Sequence, residues 1–329
     1  MAGGTDGHES GGAILAAFLA NMGIAVTKFV GFLITGSSSL LAESIHSVAD
    51  SSNQGLLFLG GRQATRAPTE LHQFGYGRVR YFWAFVVAVV LFSLGGLFSA
   101  YEGYHKIADP HDIDSPAVAI GILSLALVFE AFALRTAVRH ATPQRGKRSW
   151  TRYIRESRSP ELPVLLLEDS GALLGLVLAL IGVVLALITG NPVFDGVGTL
   201  AIGVLLLGIA VVLAIEMRSL LIGESASPEL QRRIEAEFAQ AAGVRRVIHV
   251  LTQHIGPDEL LVAAKVEFDP GLTTVGLVEA IDACEQRVRA VEGVGGARIY
   301  VEPDIGGRES IAEAAPKKLG QTGRAHRIP

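Results

Sequence analysis

His46 and Asp50 stand four residues apart in ESIHSVAD, inside a hydrophobic stretch. On a helix that spacing puts an imidazole and a carboxylate on one face, with Cβ atoms about 6 Å apart. Both groups bind divalent cations once deprotonated, so the pair makes half of a metal site. The plainer reading is a hydrogen-bonded pair that packs two helices. Ionisable groups in hydrocarbon cost at least about 2.5 kcal/mol each and usually mark ion or proton pathways. The polar stripe is longer than the pair: Glu43, His46, Asp50, Asn53 and Gln54 all fall near one side of the same helix. A second acidic group, Glu168 and Asp169 in LLLEDSGALLG, precedes Gly171, Ala172 and Gly175, small residues that let another helix come close. Neighbours on a helix are turned about 100° apart, so the two acids cannot share one face. Asp169 is the predicted ligand; Glu168 is a fourth ligand, a proton-carrying neighbour, or the partner of a basic group such as Lys28.

Groups of this kind need a scaffold that carries them through a membrane. Half of the 329 residues are hydrophobic and 18% are charged, a low share for a soluble chain of this length. Six stretches reach the roughly 20 apolar residues of a spanning helix, at about 12–34, 38–61, 80–101, 116–137, 162–189 and 193–218. Hydropathy collapses after Arg218. The predicted organisation is a disordered lead at 1–11, a transmembrane domain at 12–222, a soluble domain at 223–304 and a disordered tail at 305–329. Arg62, Arg66, Arg78 and Arg80 follow the second stretch, and seven basic residues from Arg139 to Arg158 follow the fourth. Those two connections are therefore expected in the cytoplasm, and six spans put both termini there too. Membrane lipid is the expected surrounding, and the net charge of −4 gives no hint of nucleic acid binding. The single cysteine, Cys284, rules out a disulfide within one chain and lies in an apolar helical stripe, where a buried structural thiol is expected.

The soluble third reads helix, strand, strand, helix, strand. Ser227 and Pro228 open a helix over 228–242. VRRVIHVLTQHI and LLVAAKVEF flank GPDE as a hairpin, with Leu260, Val262, Ala264, Val266 and Phe268 alternating onto one face. A helix follows from about Val275 to Val291, and ARIYV closes the sheet. A small open-faced sheet leaves apolar surface that a second copy can cover.

The strings GSSSLLAESIHSVADSSNQ, HQFGYGRVRYFWAF, VFDGVGTLAIGVLLLGIAVV and LLIGESA resemble the cation diffusion facilitator family of divalent-metal transporters, over about residues 12–302. VLLLEDSGALLG is similar to the branch that contains the ninth zinc transporter of animals. The resemblance implies an all-α six-helix transmembrane domain, a small α+β cytoplasmic domain of ferredoxin-like αββαβ order, a homodimer, and export of zinc from the cytosol in exchange for protons. It also implies four ligands, His or Asp with Asp four residues on, in both the second and the fifth span. His46 and Asp50 match the first pair; Asp169 matches in the second, but Leu165 stands four residues before it and cannot ligate. Glu168 or water must complete the set. A second site of the family is represented only by His72, between Thr69 and Tyr76, so no metal is assigned there. Gly75 and Gly77 shape that loop as a turn. His249, His254, Glu267 and Glu302 are candidates for the regulatory metal sites of such cytoplasmic domains, against the plainer reading of exposed polar positions on strands.

Imidazole and carboxylate donors in a four-coordinate cage suit zinc, which is cargo here; no resident cofactor is expected. The same donors accept cobalt, iron and manganese. The expected mechanism is alternating access around one midplane site, with His46, reference pKa near 6.5, as the coupling group. An exporter of manganese, iron or cobalt and a non-transporting metal sensor are the rival readings. No HExxH or GxSxG string supports an enzyme. A bacterial plasma membrane is the expected location. Asp169 lies only about 10 Å along its helix from Pro163, so the fifth span is expected to begin earlier, near Arg155, to bring Asp169 level with Asp50.

Overall fold

Long helices follow the hydrophobic stretches of the sequence. They are α1 (Asp6–Thr35), α2 (Ser38–Ala64), a continuous run of α3 (Val79–Val90), a π-helical segment (Leu91–Leu97) and α4 (Phe98–Ala108), then α5 (Pro116–Arg145), α7 (Glu161–Thr189) and α8 (Val193–Ile222). A short α6 (Trp150–Glu156) lies between α5 and α7. The computed structural model describes residues 6–294 and 296–304, the side chains of 6–20 excepted. The predicted tail at 305–329 and the first five residues of the predicted lead lie outside the described residues, while 6–11 belong to α1. The chain divides into this helical unit, with which His254–Glu259 are grouped, and a smaller mixed unit made of Ser225–Gln253 and the residues from Leu260 on.

Four helices among the described residues are long and apolar enough to cross a membrane: Val79–Ala108, Pro116–Arg145, Glu161–Thr189 and Val193–Ile222. In α1 the described apolar part is shorter, Asn21–Thr35. α2 has the length, 27 residues, but its polar stripe lowers its hydropathy. The outward faces invert the usual rule, since Leu33, Phe132, Ile188 and Val204 are 60–75% exposed. Large side chains turned out in this way suit a hydrocarbon solvent.

Close packing and buried caps hold the unit together. α4 and α8 touch backbone to backbone: a Cβ on Gly103 would stand 2.4 Å from the Leu200 amide nitrogen, and one on Gly203 would stand 2.4 Å from that of Ala100. Only glycine fits at either position. At the start of α2, Ser37 caps the Leu40 amide. Asp195, fully buried in the first turn of α8, accepts from the Ser38 amide at 2.9 Å and from the Ser37 and Ser38 hydroxyls at 3.1 and 3.2 Å. A carboxylate there satisfies amides that have no partner inside α2 and meets the positive end of its dipole. Lys106 of α4, buried as well, donates to the Gly36 carbonyl at 3.2 Å in the turn just before.

The fifth span does not begin near Arg155. Residues 157–160 separate α6 from α7, and Pro160 and Pro163 stand at the start of α7, where a missing amide proton costs nothing.

The second unit has the order expected: α9 (Pro228–Ala239), β1 (Val244–His254), β2 (Leu260–Phe268), α10 (Thr274–Arg289) and β3 (Arg298–Asp304). The sheet runs β1-β2-β3, with β2 parallel to β3 in the register Val262↔Ile299 and Ala264↔Val301. Leu260, Val262, Ala264, Val266 and Phe268 are buried on one face of β2 and pack with Ile234, Phe238, Cys284 and Val288 from the two helices.

Candidate metal centre

α2 turns its stripe inward. Glu43, His46 and Asn53 are buried, and the Asp50 side chain keeps 18% exposure. His46 Nε2 lies 3.5 Å from Asp50 Oδ2, close enough for charge attraction but not a formed hydrogen bond. Five atoms of this face are buried with no hydrogen-bond partner among the described residues: both ring nitrogens of His46, Asp50 Oδ1, Glu43 Oε1 and Asn53 Oδ1. Each unpaired buried polar atom costs about 1–3 kcal/mol. Such a face has donors and acceptors to offer an ion or water.

Other helices close in on it. Opposite His46 the Val79–Ala108 helix loosens into its π-helical segment, and a Cβ on Gly95 there would stand 3.6 Å from His46 Nδ1 and 3.2 Å from the Leu91 and Leu206 side chains. π-helical turns are rare and gather at functional sites. From α1, the buried Lys28 donates to Glu43 Oε2 at 3.0 Å and to Ser47 Oγ at 2.8 Å. Lys28 therefore pairs with Glu43 and not with Glu168. Gln54 accepts from Asn21 of α1 at 3.3 Å.

Of the two acids of α7, Glu168 is the one that packs against the α2 stripe. Asn53 Nδ2 donates to Glu168 Oε1. Asp169 is half-buried on the side where Glu130 of α5 is its charged neighbour. The rotation of α7 is set by its glycines: Gly171 abuts Ile209 and Leu206 of α8, and Gly175 abuts Glu43 of α2 and Ile202 of α8. Residue 168 precedes them by three and seven positions and shares their face. Because Glu168 meets Asn53, one turn beyond Asp50, α7 reaches the site without an earlier start.

Among the described residues no three His, Cys, Asp or Glu side chains are arranged to hold an ion. His46 and Asp50 lie together, Glu168 meets Asn53 one turn further along α2, and Asp169 sits on the neighbouring face of α7. Imidazole nitrogen and carboxylate oxygen are donors of the kind that bind zinc.

The remaining candidates hold little. His72 is exposed, shares a turn with Thr69 through paired backbone hydrogen bonds of 3.1 and 3.3 Å, and stacks on Tyr76. Gly75 completes that turn at φ 85°. In the second unit Glu267 pairs with Arg246 at 3.1 Å, Glu302 with Lys265 at 2.8 Å, and His249 is exposed, while His254 ends β1. Asp195, Lys106 and Gly95 carry no functional signal in the sequence alone.

The family description "cation efflux transmembrane domain" matches residues 14–222. The chain is 34% identical over 258 residues to the proton-coupled zinc antiporter SLC30A9, mitochondrial, of Homo sapiens, covering 78% of this chain and 45% of that protein. It is 33% identical over 270 residues to the protein of the same name from Xenopus laevis, covering 80% and 48%. Metal tolerance protein C4 of Arabidopsis thaliana is 28% identical over 262 residues, covering 78% and 57%. The chain thus spans about half the length of the curated relatives it matches.

Proposed function

The chain belongs to the cation efflux family, and on that premise we propose that it is a secondary transporter that moves divalent metal ions, zinc foremost, across a membrane in exchange for protons. The observation that carries this reading is the His46–Asp50 pair, buried with idle nitrogens and oxygen on a helix of the membrane unit. Glu168, positioned by Asn53, is the third donor in this proposal, and a substrate water fills the place of Leu165. His46 binds a cation only as the neutral imidazole and the acids only as carboxylates, so loading the site releases protons and protonation expels the ion.

The relatives named as proton-coupled zinc antiporters support zinc and proton exchange by similarity. The proposal extends to six spans, with both termini and the α9–α10 unit on the cytoplasmic side, to a ferredoxin-like fold for that unit, and to a homodimer. A bacterial plasma membrane is the proposed location. Purified protein in vesicles tests the function: zinc entry should rise about tenfold when the interior is one pH unit more acidic than the bath, with protons leaving as zinc enters. Zinc entry that ignores the gradient would refute the exchange. Preference for manganese, iron or cobalt in the same assay would reassign the cargo.

A further inference from the structure

Lys28 and Glu43 form an ion pair that is 1% and 0% exposed, one helical turn before His46. Buried pairs of this kind are seldom worth more than apolar packing of the same volume, and hydrocarbon surroundings make each charge costlier. Stability alone does not account for it. The pair is also lopsided, because Glu43 Oε2 takes the ammonium at 3.0 Å while Oε1 is buried with no hydrogen-bond partner among the described residues. Oε1 opens toward α7 at Gly175, where a Cβ would stand 2.8 Å from it. Only glycine leaves that oxygen room. Lys28 in turn has somewhere to go: it lines a cavity of about 240 Å³ with Thr27, Ile122 and Phe129, and Glu130 of α5 is a further carboxyl in its field.

We propose that Glu43 is a second, transient binding group for the divalent cation, one turn from His46 and Asp50, and that Lys28 is a tethered cation that occupies it until the travelling metal displaces the ammonium. This rests on the transport reading above. Glu43 lies three residues before His46 on the same face, so an ion leaving His46 and Asp50 along α2 meets its free oxygen next. An unmasked carboxylate there would trap a doubly charged ion. The ammonium prevents this by neutralising Glu43, and it returns when the ion has passed.

A double-mutant cycle on the purified full chain tests the idea, with cobalt binding read by visible absorption and zinc turnover read in vesicles. Wild type must bind cobalt and move zinc; failure of both defeats the transport reading itself, and the inference with it. Lys28→Met should tighten cobalt binding about tenfold and slow zinc turnover about tenfold, since the ion now lodges at Glu43. In the Glu43→Gln background the same change should alter cobalt affinity by less than about threefold. Equal tightening in both backgrounds would mean that Lys28 acts only through space, and no tightening would mean that the pair only packs helices; either overturns the proposal. Should Lys28→Met fail to fold, Lys28→Arg keeps the charge and can grip both oxygens of Glu43. It should loosen cobalt binding by about threefold or more and slow turnover, and wild-type values in that variant would overturn the proposal.

Discussion

Asp50 holds one oxygen against His46 and keeps the other without a partner among the described residues, so it is the donor with most to give an incoming cation. Asp50→Ala should lower zinc uptake in vesicles by about a hundredfold or more while the protein still elutes as a folded particle. Unchanged uptake would remove Asp50 from the site. The two acids of α7 should separate cleanly. Glu168→Gln, which changes the group beside Asn53, should cost about tenfold in transport, and Asp169→Asn less than about threefold. The opposite order would make Asp169 the ligand and Glu168 its neighbour. His46→Gln keeps a hydrogen-bonding side chain but removes the imidazole whose protonation would expel the ion, so transport should lose most of its variation with pH. A wild-type profile in that variant would assign the protons to the carboxylates.

At the scale of elements, Asp195 clamps the start of α2 to α8 through Ser37 and Ser38. Asp195→Ala removes the acceptor of the Ser38 and Ser39 amides and of the Ser37 and Ser38 hydroxyls, and should lower stability in detergent by about 2 kcal/mol or more, read as a fall in melting temperature. The i, i+3, i+4 stripe of α2 was legible in the sequence because helical periodicity alone decides it. The alternation of Leu260 to Phe268 was legible for the same kind of reason, with a period of two. That Glu168 and not Asp169 meets Asn53 was not, because it depends on how α7 rotates against α2 and α8, where Gly171 and Gly175 pack on Leu206, Ile202 and Glu43. Nor was the clamp, whose partners are separated by 157 residues in the case of Ser38 and Asp195. No local signal links a serine run in one turn to an aspartate in another. The break before α7 had a visible cue in Pro160 and Pro163, which the demand to align Asp169 with Asp50 overrode.

For the whole molecule, two units with separate cores should answer to separate probes. Burial pushes the Cys284 thiol to about 11. In the folded protein at pH 8 about one thiol in a thousand is ionised, so alkylation should be slow until denaturant opens the second unit. The unfolded thiol ionises near 8.5, so between that value and 11 the unfolded chain holds fewer protons and stability should fall as pH rises. Cys284→Ala should flatten that slope in denaturant titrations at pH 8 and 10. Deleting residues after Gly223 tests the proposed assembly; a truncated protein that remains fully dimeric in detergent would move the contact to the spans. The Val79–Ala108 helix carries a consequence of simple counting. An α-helix advances about 100° per residue, and a π turn takes in about one residue more, so side chains beyond Leu97 face a direction that one period drawn from Val79 misses. Lys106 reaches the Gly36 carbonyl from within that shifted frame. Deleting Ser93 should close the wide turn and swing Lys106 about 100° off its acceptor, costing far more transport than Ser93→Ala. A frameshift in angle, not in sequence, would then disconnect one end of the span from the other.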